Sequence, residues 1–153
     1  MDKEFYETAK DFNNYISNTI ITKKEIITLI SKVANLYLLA NSLKYTKTDD
    51  NMDFKTTIEP SVIRVGDDIE DHYWSIFDPY DKDSEVGNMI SDDLEDITRD
   101  LNKGIFEYEK GHVNNALFNW YFCYITHWGD HATNLLRTLN TIRYKMESNG
   151  ELW

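Results

Sequence analysis

A chain of 153 residues in which 41% are hydrophobic is long enough to fold as one domain, burying roughly 68–70% of the surface its unfolded form exposes. No disulfide or structural metal is then needed to hold it together. The net charge of −11 has a single source: thirteen acids face two bases, Lys82 and Arg99, between Asp67 and Asp100, and the rest of the chain is balanced. Such polarity argues against nucleic-acid phosphate and anionic membrane as partners and favours cations or a basic protein.

The expected architecture is an all-α bundle of about five helices in a single domain, with a short extended segment possible near residues 61–65. Phe5, Ala9, Phe12, Ile16 and Ile20 recur at helical spacing and predict a first helix from Lys3 to Ile20. Thr22 with Glu25 three residues later has the form of a capping box and predicts a second helix to about Tyr45, so that residues 1–45 read as a helical hairpin. Residues 46–65 read as a loop, polar and aperiodic from Thr46 to Asp53, in which Ser61 to Val65 is either a short strand or a first helical turn. Gly66 and Asp67 are expected to open a third helix carrying Ile69, Tyr73, Ile76 and Phe77, which Pro79 ends. An acidic loop from Tyr80 to Ile90 follows. Ser91 is placed as the N-cap of a fourth helix with Leu94, Ile97, Leu101, Ile105 and Tyr108 on one face and Gly111 just past its end. The fifth helix is the longest and the expected centre of the bundle. Val113, Leu117, Trp120, Tyr124, Trp128, Leu135, Leu139, Ile142 and Met146 form its stripe, Gly129 marks a kink or a close backbone approach, and a tail after Glu147 is expected to fray.

The stretches DHYWSIFDPY (Asp71 to Tyr80), SDDLEDITRDLNKG (Ser91 to Gly104) and GHVNNALFNWYFCYITHWGDH (Gly111 to His131) resemble a bacterial family of small proteins defined as a domain of unknown function. The resemblance covers roughly residues 67 to 140. It implies a mostly helical, soluble bacterial protein and brings no activity, ligand or catalytic residue with it.

His127 and His131 have the HxxxH spacing that lets two imidazoles on one helix face ligate one metal ion. A divalent metal is therefore the cofactor to test. A further ligand would come from His72, Asp68 or Asp71 if the third and fifth helices pack together. The alternative is a pair of interior histidines satisfied by neighbouring carboxylates. Cys123, one turn before His127, reads as a buried, inert thiol, which makes nucleophilic catalysis a poor fit. The sequence has no P-loop, nucleophile elbow or dinucleotide fingerprint. DPYDKDSE lacks the glycine and terminal glutamate of a calcium loop.

The acidic block offers a second candidate. Aromatic and acidic side chains interleave at Asp78, Tyr80, Asp81, Asp83 and Glu85, with Asp92 and Asp96 following on the next helix. Such a surface suits a basic protein partner, and an immunity or antitoxin role would use it. The leading expectation is thus a non-enzymatic cytoplasmic binding protein. A metal-dependent enzyme and a scaffold subunit are its alternatives.

Overall fold

The computed structural model describes residues 1–49, 52, 58–59 and 61–152. Helix α1 (Asp2–Asn18) buries Phe5, Ala9, Phe12 and Ile16 along one stripe. A two-residue strand, β1 (Ile20–Ile21), and one 3-10 turn (Lys23–Glu25) lead into α2 (Ile26–Ala40), whose inner stripe is Ile26, Leu29, Val33, Leu36 and Ala40. Strand β2 (Arg64–Val65) pairs in parallel with β1, Ile20 opposite Arg64 and Ile21 opposite Val65. An antiparallel hairpin follows, β3 (His72–Ile76) against β4 (Glu85–Met89), with Trp74 opposite Gly87. Helix α3 (Ile90–Glu109) comes next, then α4 (Val113–Cys123), a π turn (Tyr124–Trp128) and α5 (Gly129–Ser148), these last three running on as one helix.

Among the described residues the fold is therefore four continuous helices with two small sheets, and the all-α five-helix bundle is corrected to a mixed architecture. Ile20, expected at the end of the first helix, instead pairs in β1, since α1 stops at Asn18, and the larger error lies in one further segment. The region read as a third helix is strand β3, and part of the loop read at Tyr80 to Ile90 is strand β4. Burial alternates along β3: Tyr73 and Ser75 turn inward while His72, Trp74 and Ile76 are exposed. That is the period of two of a strand, and the aromatic and β-branched residues of HYWSI favour it. Pro79 sits in the hairpin connection, where a missing N–H costs nothing.

Several boundaries also move. Thr22 makes no side-chain cap, and Glu25 instead accepts a 2.7 Å hydrogen bond from the Tyr15 hydroxyl. Helix α2 stops at Ala40, short of Tyr45. Ser91 is not the N-cap of α3: its N–H and hydroxyl both donate to the Asp71 carboxylate, at 2.9 and 2.7 Å, tying the start of the helix to the start of the hairpin. Residues 46–49 carry no regular structure, and much of the remaining predicted loop lies outside the described residues.

The end of α3 is as expected. Gly111 adopts φ 84°, His112 N–H bonds the Glu107 carbonyl and Gly111 N–H that of Tyr108, a Schellman closure that turns the chain back at once. Helix α3 consequently packs antiparallel to α4, and it also touches α1 and α5, so the centre of the domain is α3 as much as the long helix after it. Trp120 is fully buried between them and donates a 3.0 Å hydrogen bond to the Leu101 carbonyl. Gly104 makes this possible, since a Cβ there would stand 2.1 Å from the indole nitrogen. The tail is docked as far as Leu152, which packs on the core, and Glu151 meets Lys23 at 2.6 Å.

Candidate metal centre

Along α3 the residues Asp93, Asp96, Asp100, Gly104 and Glu107 recur at steps of three and four and form one seam. The facing helix answers it nearly residue for residue. Glu107 accepts from Asn115 Nδ2 and meets His112 Nδ1, both at 3.0 Å, and Gly104 receives Trp120. Asp100 Oδ2 lies 2.6 Å from His127 Nδ1, and Asp93 Oδ1 lies 2.8 Å from His131 Nδ1. Asp93 and Asp100 are each 1% exposed, a position in which an unpaired carboxylate would be costly. Asp93 also accepts from the Tyr73 hydroxyl on β3, and Asp100 pairs with Lys103 at 2.6 Å.

With both Nδ1 atoms engaged, both Nε2 atoms point toward Asp96. Its Oδ2 is 3.3 Å from His131 Nε2 and 4.0 Å from His127 Nε2, while its other oxygen pairs with Arg99. The three ligand atoms of Asp96, His127 and His131 lie within 4.8 Å of one another, all on half-buried side chains. Ligands placed tetrahedrally at roughly 2.0–2.1 Å from a zinc ion stand about 3.3–3.4 Å apart, so a small inward movement of His127 completes the set.

The π turn is what delivers both histidines. It adds a residue to the helix, so Trp128 enters the core while His127 still reaches α3. Its closing bond runs from Gly129 N–H to the Tyr124 carbonyl, and a Cβ at 129 would lie 2.5 Å from that oxygen. The close approach expected at Gly129 is thus made by the helix's own carbonyl.

Electrostatics follow the geometry. The hydrogen bond with Asp93 holds His131 above the ordinary imidazole value; burial opposes it, and the fields of Asp93, Asp96 and Asp100 add to it. Burial first, and Asp100 second, push the Cys123 thiol up to about 11, which keeps it protonated and inert.

Other expected ligands lie elsewhere. His72 is exposed on β3 and nearest Glu70, at 3.6 Å; Asp68 accepts from Lys23 N–H; Asp71 is taken up by Ser91. Of the residues assigned to a partner surface, Asp78, Tyr80, Asp81 and Asp83 lie exposed at the hairpin connection, Glu85 opens β4 and Asp92 is exposed at the start of α3. Asp96 is not with them, since it faces the histidines. Asp93 and Asp100 are legible in the sequence only as acids near a helix start and in its middle; their burial against the histidines, which no spacing in the chain signals, sets them apart.

The chain belongs to the family described as "Domain of unknown function (DUF5063)", whose model matches residues 1–145 and so takes in the first 65 residues as well. Among solved structures it is similar to the crystal structure of protein BF1032 from Bacteroides fragilis, a structural genomics target, at 20% identity and a TM-score of 0.69, over 92% of this chain and 93% of that one. This likeness is one of fold. No curated protein matches the chain. None of its described helices is long and apolar enough to cross a membrane.

Proposed function

We propose that the protein binds a divalent transition-metal ion through His127 Nε2, His131 Nε2 and Asp96 Oδ2. The observation that carries this reading is the pair of buried carboxylates behind the histidines, Asp100 on one Nδ1 and Asp93 on the other. A ligating histidine nearly always gives its second ring nitrogen to such a group, which fixes the tautomer and raises the basicity of the ligating nitrogen. Two interior histidines needing only to be satisfied would not have to share a third acid between their outward nitrogens.

Two imidazole nitrogens and one carboxylate suit zinc, manganese or ferrous iron. Three protein ligands leave at least one position for water, the pattern of a catalytic rather than a structural centre. A bound ion there would act as a Lewis acid and supply a hydroxide at neutral pH. Tyr73 and Lys103 hold the supporting carboxylates in place from either end.

The test is calorimetric titration of chelator-stripped protein with zinc and manganese. One equivalent per chain is expected for the wild type, with binding lost in His127→Ala and His131→Ala. Absence of stoichiometric binding by every ion tried, or equal binding by the His131→Ala variant, would refute the reading.

A further inference from the structure

The hairpin shows a different surface. Phe77 N–H bonds the Ser84 carbonyl and Ile90 N–H bonds that of Asp71, which fixes the alternation of the antiparallel ladder: residues 71, 73, 75 and 77 turn their backbone groups toward β4. The N–H and C=O groups of Trp74 and Ile76 therefore point away, along the outer edge of β3. This edge borders a cleft of about 720 Å³ whose near wall includes Trp74, Ser75 and Ile76 and whose far wall is Thr133, Asn134 and Arg137 of α5. Trp74 and Phe77 are 78% exposed and Tyr80 fully so. A five-residue strand edge with an exposed tryptophan and no Lys, Arg, Asp or Glu among its own residues lacks the charged side chains that usually guard against pairing.

We propose that β3 is completed by an extended segment of a basic protein, which adds as a third strand along Trp74 and Ile76. Backbone hydrogen bonds would supply affinity, and the alternate side chains of the segment would meet Trp74 and Ile76 on one face. The sign of the partner follows from charge. Residues 70–89 carry six acids against the single Lys82, and Asp78, Asp81 and Asp83 stand exposed just beyond the end of the edge. No described basic group pairs with them: the Asp78 carboxylate accepts from Tyr80 N–H and that of Asp81 from Asp83 N–H, so their charge is uncompensated. Within the cleft Glu85 balances Arg137. The Arg137 guanidinium makes no hydrogen bond or ion pair with another described residue, which leaves its donors for carbonyl oxygens of the added strand.

The experiment titrates an eight-residue peptide of alternating valine and lysine into isotope-labelled full-length protein, following backbone amides. Three comparisons decide it: the peptide with glutamate for lysine, the valine–lysine peptide methylated at every backbone nitrogen, and a protein variant carrying Asp81→Asn, Asp83→Asn and Glu85→Gln. Saturable shifts centred on the Trp74 and Ile76 amides are expected, with binding weakened at least about tenfold by either peptide change and at least about threefold by the protein change. Shifts centred elsewhere, no saturable binding, or undiminished binding of the methylated peptide would overturn the proposal.

Discussion

The aspartates of the α3 seam and those of the hairpin connection present the same side chain in opposite surroundings. Asp93 and Asp100 are almost fully buried and each is engaged by two partners, Asp93 by Tyr73 and His131, Asp100 by Lys103 and His127. Asp78, Asp81 and Asp83 are exposed, and the first two accept from neighbouring backbone N–H groups. A buried carboxylate must be paired to be tolerated, and its pairing fixes geometry. An exposed one contributes a field that falls off within about 10 Å at ordinary salt. The first group builds a site, while the second can only favour one kind of visitor.

Substitutions should separate the two regions by size of effect. Replacing a ligand is the severest test: His131→Ala should weaken zinc binding by more than about a hundredfold, read by calorimetry, because two ligands remain where three converged. Gly129→Ala should come next. Its Cβ meets the Tyr124 carbonyl within the π turn, so thermal unfolding should show a loss of about 2 kcal/mol and the metal affinity should fall with it. A destabilised protein that kept full affinity would show that the π turn does not position the histidines. Asp100→Asn and Asp93→Asn preserve shape while removing the charge behind each imidazole, and each should cost about 10–100-fold in affinity.

A smaller effect reverses with metal. In chelator-stripped protein the folded His131 titrates above its unfolded value because of Asp93. The stability this contributes is complete below the unfolded value, about pH 6.5, and is lost as pH rises through the folded one. With zinc present the trend inverts, since ion and proton compete for the same nitrogen. Melting temperatures measured from pH 6 to 8 should diverge between the two preparations; parallel curves would place the metal away from His131. Neutralising Asp81, Asp83 and Glu85 together should have the least effect on the fold, within about 0.5 kcal/mol by denaturant unfolding.

The contrast also explains what could be read from the chain. Helical stripes such as Phe5, Ala9, Phe12 and Ile16, or Leu94, Ile97 and Leu101, are set by period and burial, and those helices formed over these residues, although Ile20, which continues the first spacing, lies beyond the end of its helix. HYWSI was misread because Ile69, Tyr73, Ile76 and Phe77 also satisfy steps of three and four; five residues are too few for one period to exclude the other, and the choice is made by pairing with β4. The HxxxH pair was legible, but its supports were not. Asp93, Asp96 and Asp100 lie some thirty residues earlier; Asp93 and Asp100 have natural explanations as helix-start and solvated acids, and Asp96 reads as part of the partner surface. What sets them apart is burial against a second helix, which depends on the tight reversal at Gly111 and on the π turn before Gly129. Neither the register nor the extra residue of that turn is encoded in any local spacing.

X-ray absorption at the zinc edge of the zinc-loaded full chain tests the central claim most directly. Two imidazole nitrogens and at least one oxygen at about 2.0–2.1 Å are expected, with the imidazole outer-shell scattering reduced to one ring in His127→Ala. A shell of oxygens without imidazole scattering, or a spectrum unchanged by that substitution, would mean that His127 and His131 are interior partners of Asp100 and Asp93 and nothing more.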